Sequence, residues 1–385
     1  MNNIFYSREE LNYEQKAKEF FSREITPHIE PMDREGEYPY ELLRKLASQR
    51  YIGVKFPEEY GGAGKNIFYE TIINEVTGST SIALACARSV PHHVGHCIRF
   101  FGGEHLRRKY LPPIFGAKKI CSECVTEPTG GSDVARMKTT AIRKGNKYIL
   151  NGRKRFMANG MVADYVLVFA VTNPEVHPRN GISAFMVERQ TLGIRALKEF
   201  DTLGWKGLGI VSELIFDGAE VDAENIVGGE NNGFSIIMDM LDNERVVVAA
   251  GLIGSAMTCF DIAVKYSRQR TAFHRTLSQF EAVSFKIADM ATKIEAARAL
   301  RIKAARLIDT GAKATKEAAM AKVFAAELAF DIISNSMQIM GGIGITTVYP
   351  VERHFRDARV AMISVGTNEI MKLVIQREIY RQYFD

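Results

Sequence analysis

The chain has 385 residues, 46% of them hydrophobic and 25% charged, and a formal net charge of +5. This is ordinary for a globular protein of two or three domains. Basic residues are spread along the chain, which argues against nucleic-acid binding, and clusters such as Arg153–Arg155 are expected on solvated faces. The N-terminus lacks the apolar core of a signal peptide. The longest uncharged run, Val246–Phe260, is shorter than the roughly 20 residues that span a bilayer. We expect a cytoplasmic protein without membrane insertion.

Residues 1–120 are predicted to be helical. Apolar and aromatic residues alternate with charged ones over Leu11–Ile25 and again over Tyr40–Tyr51. Tyr69–Phe101 continues the helical pattern, with an interruption predicted near Pro91, and the glycines after Phe101 end it.

Residues 121–232 have a different pattern. β-branched and aromatic runs of strand length, such as DYVLVFAV and ISAFMVER, are separated by Gly, Asn, Asp and Pro. Strands that follow one another without helices between them indicate a mostly antiparallel β-domain.

Residues 233–385 are predicted to be helical again, with alanine-rich runs such as IEAARALRIKAARLI. The predicted fold class is therefore α+β, with an N-terminal helical domain, a middle antiparallel β-domain and a C-terminal helical bundle. The predicted boundaries are 1–120, 121–232 and 233–385.

Cysteines and histidines give no clear metal site. Five cysteines at irregular spacing fit a reducing compartment, and the C-x-x-C of Cys121 and Cys124 has no second pair. His92 and His96 have the i, i+4 spacing of a helical metal pair, but no carboxylate joins them at ligand spacing and Pro91 disturbs the helix. We expect no metal ion.

Two segments could carry chemistry. In CVTEPTGGSDV, which begins at Cys124, a turn with small side chains and free N–H groups suits a phosphate-bearing ligand, although such turns usually have no ligand. The second segment begins at Gly233. Its apolar residues Phe234, Ile237 and Leu241 have the spacing of one face of a helix. Glu244 lies at the edge of that stripe, where a carboxylate either pairs with a lysine or arginine or has a function.

Five motifs occur in the order and spacing of acyl-CoA dehydrogenases: CVTEPTGGSDV, NGRKRFMANG, RTAFHRTLSQF, QIMGGIG and PVERHFRDAR. The resemblance covers essentially the whole chain. It implies an FAD-dependent enzyme that forms a trans-2-enoyl thioester, passes electrons to an electron-transfer flavoprotein, and assembles as a homotetramer with shared FAD sites.

The resemblance also implies the cofactor-binding residues. Those expected at FAD are Cys124, Val125, Thr126, Gly131, Ser132, Phe156, Met157, Ala158, Arg270, Phe273, Leu277, Phe280, Gln338, Gly341, Gly342, Thr367 and Glu369. Phe156 replaces a commonly seen tryptophan, Ala158 a threonine or serine, and His274 a glycine.

In many relatives the catalytic base is a glutamate before Gly-Thr, and here that position is Val365 in ISVGTNEIM. Isovaleryl-CoA and long-chain acyl-CoA dehydrogenases instead carry the base in an L-x-x-E-R segment, which here is Leu241–Arg245. The resemblance therefore implies Glu244 as the base. The expected substrate-binding residues are Ser132, Leu241, Asp242, Arg245, Val365 and Gly366.

Alternatives remain open for the substrate. The same chemistry could act on a carrier-protein-bound acyl or prolyl thioester, or the chain could be a non-catalytic thioester-binding paralogue. A histidine of the 92–96 segment or Arg88 could receive a polar or carboxylated acyl group.

Overall fold

The computed structural model describes residues 5–207 and 212–384. In the N-terminal part the described helices are α1 (Arg8–Glu24), α2 (Ile29–Glu35), α3 (Tyr40–Ser48), α4 (Ile67–Thr80), α5 (Ile82–Phe101) and α6 (Glu104–Phe115). A capping box of Ser7 and Glu10 begins α1, and the Asn66 side chain caps α4. The helical prediction for this region is confirmed.

The predicted interruption near Pro91 is wrong. Pro91 lies inside α5, and the chain breaks ten residues earlier at Ser81, which has extended backbone and a side chain that accepts from Leu84 N. A serine that caps the following helix ends α4, whereas packing on the surrounding core keeps α5 continuous through its proline.

The middle part is a mixed sheet in which most pairs are antiparallel. Its strands are β1 (Cys121–Cys124), β2 (Thr140–Lys144), β3 (Lys147–Met157), β4 (Tyr165–Val171), β5 (Ile182–Glu188), β6 (Ile194–Glu199), β7 (Ser212–Asp222) and β8 (Ile226–Val227). The order is β6-β7-β3-β2-β4-β5-β8, and β1 pairs with β4. The β1–β4 pair is parallel, as is the single contact between β2 and β4.

The C-terminal part returns to helices. These are α7 (Gly233–Gln269), α8 (Glu281–Asp309), α9 (Thr315–Met340), α10 (Val351–Ala361) and α11 (Asn368–Phe384), with a small hairpin of β9 (Thr271–Ala272) and β10 (Arg275–Thr276) before α8. By length and hydropathy α7 could cross a membrane, but 67% of its most apolar window is buried within the fold. Such burial is typical of the core helix of a soluble protein.

Glycines let α4 and α7 cross at very short range. A Cβ at Gly78 would lie 2.0 Å from the carbonyl oxygen of Gly251, and a Cβ at Gly254 would lie 1.9 Å from that of Glu75. One hydrophobic core then joins the N-terminal helices, one face of the sheet and the first turns of α7. The beginning of α7 is therefore held where the three parts of the chain meet.

Candidate active site

A buried carboxylate lies on α7 at this junction. Glu244 is 5% exposed, and within residues 5–207 and 212–384 its ion-pair partner is His93 rather than a lysine or arginine. Ile237 and Met240, in the preceding turns of α7, belong to the core described above. Because a buried carboxylate requires a partner or a function, Glu244 is not an ordinary helix-face residue.

Two groups from other parts of the chain approach Glu244. His93 Nδ1, on α5, lies 3.3 Å from Glu244 Oε1 and 3.3 Å from Oε2 of Glu123 on β1. Neither contact has hydrogen-bond geometry, and both ring nitrogens of His93 and Oε2 of Glu123 lack a hydrogen-bond partner within the described chain. We call His93, Glu123 and Glu244 the acid–histidine cluster.

The donor atoms of this cluster lie within 4.8 Å of one another, a spacing that could hold a metal ion. The sequence argument against a metal assumed that no carboxylate accompanies the histidines, and that premise is wrong, since β1 and α7 supply two. The two histidines with i, i+4 spacing have different partners: His92 lies 3.6 Å from Glu70, whereas His96 contacts Lys55 and Asp239.

Burial sets the protonation of the cluster. It raises the pKa of Glu244 to about 8, with a further contribution from Glu123, while His93, Arg245 and Lys322 act in the opposite direction. Burial also disfavours the charged form of His93, but Glu244 and Glu123 outweigh it and raise the pKa of His93. A carboxyl group that titrates near neutrality suits general acid–base chemistry.

The loop before α11 has an unusual backbone. Val365 has a φ of 58° and Gly366 a φ of 90°; for a β-branched residue such a conformation costs roughly 1–3 kcal/mol. Lys322, buried on α9, donates from Nζ to the Gly366 carbonyl at 2.8 Å and to Asn368 Oδ1 at 3.1 Å. Burial lowers the pKa of Lys322 to about 8. This side chain therefore holds the strained loop in place.

Arg245 connects the loop with α7. Its Nη1 donates to Asp242 Oδ1 at 2.8 Å, and Thr315 donates to the other oxygen of Asp242. This ion pair gives Arg245 a structural role whether or not it also contacts the substrate. Arg245 is 4% exposed, and a Cβ added at Gly366 would lie 4.0 Å from its Nη2. The predicted substrate-binding residues on α7 and in the loop are thus neighbours.

The predicted flavin residues of the sheet also come together. Arg155 N donates to the Thr126 carbonyl, which places the Thr126 segment beside Phe156 at the end of β3. Phe156 is 57% exposed and has a φ of 60°, while the turn at Gly131 and Ser132 is exposed. Of the other predicted residues here, Cys124 and Met157 are buried, and Val125 and Ala158 are partly buried.

The prediction that Arg153–Arg155 forms a solvated face is wrong at its centre. Lys154 is fully buried and lies 2.9 Å from Glu127, which also accepts from the backbone N–H groups of Lys138 and Thr139. The buried pair fastens β3 beneath the TEPTGG turn. The alternation of a strand placed this lysine on the inner face of the sheet.

The remaining predicted flavin residues lie on the C-terminal helices. Phe273 is 86% exposed at the tip of the β9–β10 hairpin, where His274 has a φ of 65° in the region that favours the glycine of relatives. Arg270, Leu277 and Phe280 flank this hairpin, and Gln338, Gly341 and Gly342 lie at the end of α9. Thr367 and Glu369 begin α11, where Thr367 Oγ1 accepts from Ile370 N.

Arg88 is not available to receive a carboxylated acyl group. It is fully buried, lies 2.6 Å from Glu70, and donates to Asn74 Oδ1 and to the Tyr51 carbonyl. Although burial opposes ionisation of Glu70, Arg88 and His92 lower the pKa of this carboxyl to about 2. Arg88 therefore belongs to a structural ion pair.

Arg88→Met is accordingly expected to lower the free energy of unfolding by about 3–5 kcal/mol, because it leaves a buried anion unpaired. Chemical denaturation followed by circular dichroism would measure this. Glu70→Leu in the Arg88→Met background should recover much of the loss. A single variant as stable as the parent would contradict the structural role.

Sequence reasoning missed Glu123 and Lys322. Each had a local signal: Glu123 is a lone charge in the strand CSEC, and Lys322 is a lone charge in the apolar stretch AMAKVFAA. The sequence does not reveal that Glu123 lies close to Glu244, or that Lys322 hydrogen-bonds the loop after Val365.

Fold and site together describe an α–β–α chain with a buried carboxylate on α7 that suits acid–base chemistry. The family models of the acyl-CoA dehydrogenase N-terminal, middle and C-terminal domains match residues 7–118, 122–219 and 231–380. The chain belongs to the acyl-CoA dehydrogenase family, whose members are FAD-dependent flavoproteins, and is an oxidoreductase acting on acyl-CoA.

Three similar proteins illustrate the range. The chain is 40% identical to an acyl-CoA dehydrogenase of Bacillus subtilis, covering 96% of this chain and 98% of that one. It is 37% identical to the caffeyl-CoA reductase-Etf complex subunit CarC of Acetobacterium woodii, covering 97% and 98%. It is 35% identical to the structure of butyryl-CoA dehydrogenase from Megasphaera elsdenii, with a TM-score of 0.93 over 98% and 99%.

Proposed function

We propose that this protein oxidises an acyl-CoA to the trans-2-enoyl-CoA, with Glu244 as the base and an electron-transfer flavoprotein as the electron acceptor. The main support for Glu244 as the base is its burial, which raises the pKa of its carboxyl group to about 8. The loop at Val365, the alternative position of the base, has no acidic side chain there. The base position on α7 supports the isovaleryl and long-chain subtype. The relation to CarC, a subunit of an Etf complex, supports the proposed acceptor.

In this mechanism Glu244 removes the proton α to the thioester carbonyl. Burial keeps the carboxylate poorly solvated and so makes it a stronger base. The N–H of Val365 polarises the thioester oxygen; a side-chain change at this position leaves that backbone donor intact. Lys322 holds the loop that carries the donor, and Leu241, Asp242 and Arg245 line the approach to the base.

The residues of the chain fit the flavin that the family requires. Phe156 offers an exposed aromatic face beside the exposed TEPTGG turn, and a Cβ at Gly130, Gly341 or Gly342 would meet no atom within 4 Å. When bound, FAD supplies the hydride acceptor. Thr126, Ser132 and Phe156 would hold it in the chain that performs the chemistry.

Arg270, Phe273, Leu277, Phe280 and the Gln338–Gly342 segment would hold the FAD of a neighbouring subunit. Large apolar side chains are exposed nearby, including Phe273, Ile345 at 71% and Val348 at 69%. Exposed apolar groups of this kind commonly mark an interface. This supports the proposal of a homotetramer.

The rate of flavin reduction by acyl-CoA should rise with pH. Glu244 acts in its ionised form, and with a pKa of about 8 only about a tenth of it is ionised at pH 7. We expect a roughly ten-fold increase between pH 7 and pH 9, measured by stopped-flow absorbance under anaerobic conditions. Reduction by dithionite, which needs no base, is the control; an equally flat profile for both reductants would contradict the prediction.

A second direction is favoured by the same residue. At neutral pH Glu244 is mostly protonated and could donate a proton to the α-carbon of an enoyl-CoA, as reduction requires, and one relative is named as a caffeyl-CoA reductase subunit. Comparing flavin bleaching by acyl-CoAs with reoxidation by enoyl-CoAs determines the direction.

Anaerobic mixing with a panel of acyl-CoAs and acyl-carrier proteins tests the proposal. Bleaching of the flavin by at least one acyl-CoA is expected. Bleaching only by carrier-bound thioesters would show that the substrate is a carrier-bound thioester and not an acyl-CoA. The absence of bleaching by any thioester would contradict the proposed oxidation.

A further inference from the structure

We propose that His93 and Glu123 form a binding site for a hydroxyl group on the acyl chain of the substrate. This inference rests on the proposed function, in which the α-carbon of the substrate lies at Glu244. It names a class of substrate for that site: acyl-CoAs with a hydroxyl a short distance beyond the β-carbon.

The first argument is unsatisfied hydrogen-bonding capacity. His93 is 2% exposed; its Nε2 has no hydrogen-bond partner in the described structure, and its Nδ1 makes ion-pair contacts of 3.3 Å with Glu123 and Glu244 that lack hydrogen-bond geometry. Oε2 of Glu123 is likewise buried without a hydrogen bond and contacts His93 Nδ1 as an ion pair. Buried polar groups without partners are rare, and each costs about as much as a lost hydrogen bond. A ligand that supplies the missing partners would therefore be selected over one that does not.

The second argument is position. His93 Nδ1 lies 3.3 Å from the Glu244 oxygen and 3.3 Å from Glu123 Oε2, so the unsatisfied groups adjoin the base itself. A substrate whose α-carbon contacts Glu244 must direct its next carbons past these two side chains. A plain alkyl chain there would bury them against methylene groups and supply a hydrogen bond to neither.

The third argument is charge. Two carboxylates and one imidazole line this place, and the nearby Arg88 is neutralised by Glu70. His93 already has Glu123 and Glu244 as ion-pair partners, so a carboxylated acyl group would have to compete with these carboxyl groups for it. A hydroxyl donates one hydrogen bond and accepts another, so it can satisfy Glu123 and His93 together, whereas an ammonium group only donates. The hydroxyl is the group that matches both side chains.

Matched substrates test this directly. γ-Hydroxybutanoyl-CoA and pentanoyl-CoA have nearly the same length and differ in a hydroxyl against a methyl group. The value of kcat/KM for reduction of the flavin by the thioester should be roughly ten-fold or more higher for the hydroxylated thioester. Glu123→Gln and His93→Asn should bring that ratio toward one, while His96→Gln, which changes a histidine outside the cluster, should leave the ratio unchanged.

Dissociation constants measured in Glu244→Gln from the perturbation of the flavin spectrum separate the two proposals, because binding needs no base. If Glu244→Gln binds the hydroxylated thioester more tightly than pentanoyl-CoA, the hydroxyl site is supported. This holds even if turnover measurements show that Glu244 is not the base. Preference for pentanoyl-CoA, glutaryl-CoA or γ-aminobutanoyl-CoA would overturn the site. So would an unchanged ratio in both cluster variants, or a preference that disappears after treatment with a chelator, which would assign the contact to a bound cation.

Discussion

Glu244→Gln is expected to bind FAD and to lose reduction by acyl-CoA, with a rate roughly 10²–10⁴-fold below that of the parent protein. Glutamine has nearly the same shape as glutamate and cannot accept the α-proton. The buried position of Glu244 and its pKa of about 8 make it the group best suited to that proton transfer. Stopped-flow absorbance after anaerobic mixing gives the rate, and flavin content gives the fraction of holoenzyme.

Glu123→Gln is the matched control, because it changes the other carboxylate of the same cluster. If Glu123→Gln abolished reduction while Glu244→Gln retained it, Glu123 would be the base. Val365→Glu in the Glu244→Gln background places a carboxylate at the alternative family position. Partial recovery is expected there, because a glutamate is less strained than a β-branched valine at a φ of 58°.

Glu244→Gln should also change the dependence of stability on pH. The folded pKa of Glu244, about 8, exceeds the ordinary value of 4.5, so between these values the folded state binds more protons than the unfolded state. The contribution of Glu244 to stability therefore falls as pH rises through this range. Above pH 8, Glu244→Gln should be more stable than the parent by up to a few kcal/mol.

The fold could be predicted because its signals are local. Helical periodicity, the short strands and the turn residues each occur within a few residues, and the five motifs occur in order. The break between α4 and α5 was misplaced because a proline is the stronger signal in sequence, whereas Ser81 ends the helix through a cap seen only in three dimensions.

The site could be predicted only in part for a similar reason. The position of Glu244 follows from one helix, and the loss of a carboxylate at Val365 is visible in the sequence. The approach of His93 and Glu123 depends on contacts between α5, β1 and α7, which are far apart in the chain. Periodicity within a segment carries no information about such contacts.

Lys322 is the residue whose importance follows from the structure alone. Its ammonium group donates to the Gly366 carbonyl and to Asn368 Oδ1 on either side of the turn into α11. Without it, the Gly366 carbonyl and the amide oxygen of the buried Asn368 lose their partner, and the strained conformation at Val365 loses its restraint. The Val365 N–H that we propose as the donor to the thioester oxygen would then no longer be held in position.

Lys322→Met is therefore expected to lower kcat/KM for acyl-CoA by roughly 10²–10³-fold, the effect of displacing one donor to a developing oxyanion. It also removes one of the cations that lower the pKa of Glu244, so the midpoint of the pH profile should move above 8. The rate is taken per bound flavin, since Thr367 and Glu369 adjoin the same loop. Lys316→Met changes a lysine on the same helix whose ammonium group contacts Gln382 and Glu317, away from the Val365 loop, and should leave both quantities unchanged. A merely structural role for Lys322 would lower thermal stability without moving the pH midpoint, and that outcome would contradict the assignment.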